Sequence, residues 1–276
     1  MRLVSFLHRG RSSYGQLLET SISDIGAIDG CRDLGEALAK DLPNLSSAIE
    51  VPLSEITLLP PIPYPSKIIC VGVNYDEHRK EMGRTAHEHP VLFTRFANTL
   101  VAHQAPILRP PESSELDYEG ELAVIIGRRG RRIPEARALD HVAGYSCFND
   151  ATLRDWQRHT HQFTPGKNFP ATGGFGPALV TLDELRDASD LEISTRVDGE
   201  LVQHARTRDM IFSVPALLAY ISKVTELLPG DVIATGTPAG VGAKRNPPRF
   251  LQAGSIVEVQ IESVGSLVNP ITEEGA

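Results

Sequence analysis

Apolar residues along the chain fall into short runs bounded by glycine, proline and charge, and most of these runs have strand length rather than helix length. The clearest lies in residues 116–127, whose second half is rich in β-branched residues and stops at Gly127, before the basic turn at 128–132. Further strands are predicted over 2–7, 14–18, 67–71, 142–148 and 232–235, with a cleanly alternating one over 255–262. Residues 191–197 and 200–204 flank Asp198-Gly199, the signature of a type I′ hairpin. Helical spacing occurs over 33–42, where Leu34, Ala37, Leu38 and Leu42 fall near one face, and over 213–227, with Pro215 in the first turn. A polar helix is predicted over 76–82, then a polar loop to His89. Thr152 with Asp155 three residues later suggests a helix start, and 164–177 is too rich in glycine and proline for regular structure.

Prolines at 52, 60, 61, 63 and 65 mark a boundary. It divides a small N-terminal α/β domain with its linker, residues 1–65, from a second domain, 66–276, giving a mixed α/β chain. At this length about 75% of the unfolded surface is buried, enough for a core without disulfides or structural zinc. Three widely spaced cysteines agree, and are expected to be buried and reduced. A net charge of −8 argues against a nucleic-acid partner or an anionic membrane surface. No apolar run approaches the roughly 18 residues of a membrane span, and the first ten residues lack a long apolar region, so a cytoplasmic protein is expected. Disorder is expected only in the tail from Glu273 to Ala276.

Several positions carry candidate chemistry. On a strand Glu119 and Glu121 project to the same side, their Cα atoms roughly 6.6 Å apart, where a hard cation such as Mg²⁺ or Mn²⁺ would turn repulsion into binding. Solvated glutamates on a half-exposed strand are the competing reading. His78 and Glu81, three apart, share a helix face and suit a general base, though a charged helix face gives the same pattern. Asp150 ends a strand beside a helix start, as a functional group or as a cap. Arg154 and Gln157 share a face of that helix, and Lys167 is the one charge in its loop. The glycines of 236–242 permit close backbone approach to a ligand, without the pattern of a nucleotide site.

Taken in order, Gly72-x-Asn74-Tyr75-x-x-His78-x-x-Glu81, Glu119-x-Glu121, Asn149-Asp150-x-Thr152-x-Arg154-Asp155-x-Gln157, Gly166-Lys167 and Gly230-Asp231-x-Ile233-x-Thr235-Gly236-Thr237-Pro238 resemble the fumarylacetoacetate hydrolase family, from Ser66 to the C-terminus. The resemblance implies a β-sandwich-like roll of mixed strands with flanking helices, in a homodimer. It implies Mg²⁺ or Mn²⁺ on Glu119, Glu121 and Asp150. It also implies substrate contacts from Lys167, Thr237, Arg154 and Gln157, and a catalytic dyad of His78 and Glu81 on a lid that is mobile without ligand. Many relatives follow the Gly-Lys pair with Ser-Phe-Asp, whereas this chain has Asn168-Phe169-Pro170, so substrate specificity does not carry over directly.

The family's substrates are 2-oxo and 2,4-dioxo acids whose enolates the metal stabilises. Because a base beside the metal can activate water, the first expectation is a Mg²⁺-dependent hydrolase that cleaves a C–C bond in an acylpyruvate-like acid of aromatic catabolism. The alternative is an isomerase or decarboxylase of a 2-oxo-dioate. A non-catalytic metal- or ligand-binding relative stands third.

Overall fold

In the structure, a computed structural model that describes residues 1–40 and 49–275, the apolar run of the central motif becomes the strand Gly120–Ile126. All seven positions are buried, and the two faces of the strand enter different cores. Leu122, Val124 and Ile126 pack with Ile193, Val259 and Leu267 and with Leu217 and Ile221 of the helix Val214–Val224. Ala123 and Ile125 pack on the other side with Leu3, Tyr14, Leu34, Cys70 and Val232. Burial on both faces is why the sequence runs apolar without alternating. Each such Leu, Ile or Val contributes about 1.5–3 kcal/mol.

This strand lies within a 12-stranded sheet. The order around it is Arg2–His8, Gly173–Thr181, Val142–Asn149, Gly120–Ile126, Val232–Ala234, Ile68–Gly72 and Val91–Arg95. A five-stranded sheet packs against it, in the order Glu200–Arg206, Glu192–Val197, Ile256–Ile261, Gly265–Glu273 and Ile107–Arg109. The N-terminal strand pairs with Gly173–Thr181 through Arg2↔Val180 and Leu3↔Leu179, so the first residues extend the large sheet directly. Among the described residues all three cysteines are free and buried, and no helix is long and apolar enough to cross a membrane.

Four elements differ from the sequence expectation. The 116–127 strand is broken: Leu116–Asp117 pairs separately with Thr152–Leu153, while Tyr118 N donates to Asp117 Oδ1 and Glu119 N to Asn149 Oδ1. Side chains take those amides out of the ladder. Thr152 therefore lies in a strand pair rather than at a helix cap, and the helix is the single turn Arg154–Gln157. The second half of the expected loop is the strand Gly173–Thr181, carried by buried Phe175, Ala178, Leu179 and Val180. Glycine there is a packing requirement, since a Cβ on Gly174 would lie 2.6 Å from Asn269 Oδ1. Finally, Glu273 ends a paired strand and accepts a 2.6 Å bond from Arg109 Nη1. The helix near residue 33 spans Leu34–Leu38, capped by Asp33; Asp41 and Leu42 lie outside the described residues.

Candidate active site

Antiparallel pairing assembles the acidic centre. Gly120 is opposite Asn149, so the start of one strand and the end of the next bring Glu119, Glu121 and Asp150 to the same edge, and Asp150 N donates to Glu119 O at 2.9 Å. One carboxylate oxygen from each of the three lies within 4.8 Å of the others. The carboxylates are buried, with Glu119 5%, Glu121 1% and Asp150 0% exposed, which rules out solvated glutamates on a half-exposed strand. Between the two glutamates a Cβ on Gly120 would strike Thr195 Oγ1 on the facing sheet, so glycine is what lets the second sheet close over them.

Three buried cations answer these carboxylates. Lys167 Nζ donates to Glu119 Oε2 at 2.8 Å and to Asp150 Oδ2 at 2.6 Å. It reaches them because its helical turn, Thr164–Lys167, packs on Arg154–Gln157, where a Cβ on Gly166 would lie 2.5 Å from Gln157 N. Arg154 pairs with Asp117 Oδ2 at 2.8 Å and Glu119 Oε1 at 2.7 Å, and also donates to Gln157 Oε1 at 3.0 Å. Arg95 donates to Asp150 Oδ1 at 2.6 Å. Removing one partner from a buried pair of this kind costs about 3–5 kcal/mol.

Charge is distributed unevenly over the centre. Burial pushes the Glu119 carboxyl up, but chiefly the charges of Lys167 and Arg154 outweigh it and hold the group at about 2. Among the described residues no cation pairs directly with Glu121, although the Lys167 charge pulls its carboxyl down. Among the described residues its hydrogen bond comes from Gly236 N, at 2.8 Å, and burial together with Asp150 and Glu119 pushes its carboxyl well above the ordinary range. Lys167 and Arg154 are both pushed up: burial opposes their charge, but Asp150 and Glu119, and Glu119 and Asp117, respectively prevail. The centre therefore contains a carboxylate in deficit of positive charge. Three carboxylates without thiol or imidazole suit a hard divalent cation, which would take the place of the proton on Glu121.

The dyad arrives on a separate element. Helix Asp76–Glu81 holds His78 Nδ1 2.9 Å from Glu81 Oε2, and Gly240 N donates to Glu81 Oε1 at 3.0 Å. His78 is 4% exposed, so its side chain is packed against the body of the protein in this structure. Asn74 anchors its base: its side chain donates to Thr235 O at 2.7 Å and Phe212 O at 3.0 Å and accepts from Phe212 N at 2.8 Å. Thr237 Oγ1 donates to Gly120 O at 3.1 Å and accepts from Gln203 Nε2 at 2.8 Å, so its hydroxyl is held from both sides.

The structure thus draws Glu119, Asp150, Lys167, Arg154 and Gln157 into one hydrogen-bonded cluster, with Glu121 beside it in the acidic triad, Thr237 bonded to Gly120 between the two glutamates, and His78–Glu81 docked through Gly240. Sequence reasoning missed Asp117, Gln203 and Arg95. Asp117 was visible, since Asp117-x-Glu119-x-Glu121 continues one period-two row. Arg95 and Gln203 carry no local signal: each is brought in from a distant part of the chain.

Residues 67–272 match the family described as fumarylacetoacetate (FAA) hydrolase C-terminal. Oxaloacetate tautomerase fahd2 of Xenopus laevis, named as a mitochondrial protein, is 41% identical over 98% of this chain and 90% of its own length. Relatives from Bos taurus to Bacillus subtilis carry the same tautomerase name. Among solved structures, fumarylacetoacetate hydrolase from Exiguobacterium antarcticum has a TM-score of 0.90 at 38% identity, covering 99% of this chain and 100% of its own. Maleylpyruvate hydrolase from Sphingobium sp. SYK-6, in complex with manganese(II) and pyruvate, has a TM-score of 0.82 at 28% identity, with 99% of both chains covered. The tautomerase relatives overturn the expectation of a hydrolase acting on an acylpyruvate in aromatic catabolism. Its weak step was the dyad, because an imidazole backed by a carboxylate can serve as a base toward a carbon acid as well as toward water.

Proposed function

The chain belongs to the fumarylacetoacetate hydrolase family, and from that premise we propose that it is a divalent-metal-dependent keto–enol tautomerase of a short 2-oxo dicarboxylic acid of the oxaloacetate type. The observation that carries the reading is the buried Glu119–Glu121–Asp150 triad with the seated His78–Glu81 pair. These three carboxylates would hold Mg²⁺ or Mn²⁺, which supplies Lewis-acid polarisation of a 2-oxo group when bound.

The chain's own residues do the rest. Glu81 accepts the Nδ1–H of His78, which fixes the tautomer and leaves Nε2 unprotonated. Nε2 takes a proton from C3 of the keto acid as C2 and C3 become doubly bonded, and the same proton is returned to the oxygen on C2. No leaving group or water is needed. Arg154 and Gln157 orient a carboxylate: Arg154 Nη2 is buried and has no partner among the described residues. Lys167 and Thr237 stand on the substrate side, with the Lys167 ammonium opposite the oxygen on which negative charge grows. Seating the lid excludes water, which favours return of the proton over hydrolysis.

The test starts from oxaloacetate in its enol form. Decay of the enol absorbance is followed with and without protein in the presence of Mg²⁺ or Mn²⁺, and the products are weighed by mass spectrometry. The expected result is faster equilibration at unchanged mass. Loss of CO₂ or gain of water without faster equilibration would remove the tautomerase reading. The homodimer implied by the family is part of the same proposal, and sedimentation velocity of the full chain tests it.

A further inference from the structure

We propose that Arg95 is a positioning residue for the metal centre: its guanidinium fixes the Asp150 carboxylate in the orientation in which it meets a divalent cation. The inference rests on the reading of Glu119, Glu121 and Asp150 as that centre.

Asp150 follows the last residue of the strand Val142–Asn149, so no strand ladder orients its side chain. Arg95 ends the strand Val91–Arg95, three strands beyond Gly120–Ile126 in the sheet order, and is 2% exposed. Every nitrogen of its fork is committed. Nη1 donates to Asp150 Oδ1 at 2.6 Å and to Ala151 O at 2.9 Å, Nη2 to Thr172 Oγ1 at 2.8 Å, and Nε to Thr99 Oγ1 at 3.3 Å. Both threonines are themselves held, Thr172 by Phe169 O at 2.7 Å and Thr99 by Phe96 O at 2.8 Å. Gly173 leaves room for the fork, since a Cβ there would lie 3.0 Å from Nη2. The planar group is thus locked before it meets Asp150, whose other oxygen faces Lys167 at 2.6 Å.

Two effects of Arg95 on a cation oppose each other. Its charge repels the ion, so if charge were its whole contribution, removing it would tighten binding. Its geometry holds a ligand in place, and partners of metal ligands typically account for about 10–100-fold in metal affinity. The four-point clamp makes geometry the larger effect.

The experiment is a Mn²⁺ titration of the metal-stripped full chain by calorimetry and by electron paramagnetic resonance of free Mn²⁺, at mildly alkaline pH. The wild type binds one ion in the site; failure to do so overturns the metal reading itself, and this inference with it. Arg95→Met is expected to bind about 10–100-fold more weakly. Equal or tighter binding overturns the positioning role. Arg95→Lys keeps the charge but cannot span the acceptors, so it too must weaken binding; wild-type affinity there overturns the proposal. In an Asp150→Asn background, Arg95→Lys should cause no further loss, whereas an equal loss in both backgrounds marks a merely structural residue and also overturns it. Near-UV circular dichroism checks folding, and if Arg95→Met does not fold, the Arg95→Lys pair decides alone.

Discussion

The two halves of the site are built on opposite principles. The acidic triad sits where two central strands meet, every carboxylate is buried, and its cations arrive from three further segments. The dyad rides on one six-residue helix, and residues 83–89 beyond it are exposed throughout. That helix is held at its base by Asn74 and at its end by the Glu81–Gly240 bond. Just before that helix Val73 has φ 58°, a left-handed conformation in which a β-branched residue stores about 1–3 kcal/mol. On the proposed function the contrast is a division of labour: charges that must stand still are set in a sheet, and the proposed base, which would have to admit substrate, is carried on an element with few attachments.

The sharpest way to break this contrast is at the triad. Asp150→Asn removes a proposed ligand while keeping the shape, and is expected to weaken Mn²⁺ binding, to a level still measurable by titration, and to abolish turnover; a titration that matches wild type takes Asp150 out of the centre. Next in size, His78→Ala should slow tautomerisation by roughly 10²–10⁴-fold while leaving Mn²⁺ affinity unchanged. A parallel loss of affinity would mean that the two halves are not separate.

Acid should weaken the triad through Glu121. Burial, with Asp150 and Glu119, pushes its folded-state carboxyl up, so a cation must displace a proton. Mn²⁺ affinity is therefore expected to rise with pH, by up to about tenfold per unit, until the raised value is passed. The same sign applies to stability. The folded metal-free protein binds a proton that the unfolded chain releases above the ordinary carboxylate value, so this contribution is full at low pH and is lost as pH rises through the raised value. A pH-independent Mn²⁺ affinity would count against Glu121.

The smallest effect is expected at the lid. Asn74→Ala leaves the Phe212 amide and two carbonyls without their partner, at a cost of about 1–3 kcal/mol. Trypsin cleavage after Arg84 should then quicken and KM rise, with Mn²⁺ affinity unchanged. If proteolysis is no faster, Asn74 is not what seats the helix.

Strand and helix periodicity made Glu119 with Glu121, and His78 with Glu81, legible as same-face pairs, but periodicity alone fits a solvated face as well, and it was the ordered set of motifs that marked them as a site. The buried strand at 120–126 and the hairpin at Asp198-Gly199 were legible on local grounds, since turn chemistry and apolar runs act over a few residues. The glycines of 173–176 misled because a local reading treats glycine as a breaker. Here Gly174 admits Asn269 of the neighbouring sheet and Gly173 admits the Arg95 fork, which only those neighbours explain.

What the tertiary structure alone decided is the charge state of the site. Arg95 meets Asp150 across 55 positions of sequence and Lys167 meets Glu119 across 48, and neither pairing has a local pattern to announce it. The sequence determined which side chains can ionise. Burial and the crossing of distant strands determined which of them pair directly with a cation and which, like Glu121 among the described residues, do not, because the interaction of charges depends on distance and desolvation rather than on order along the chain.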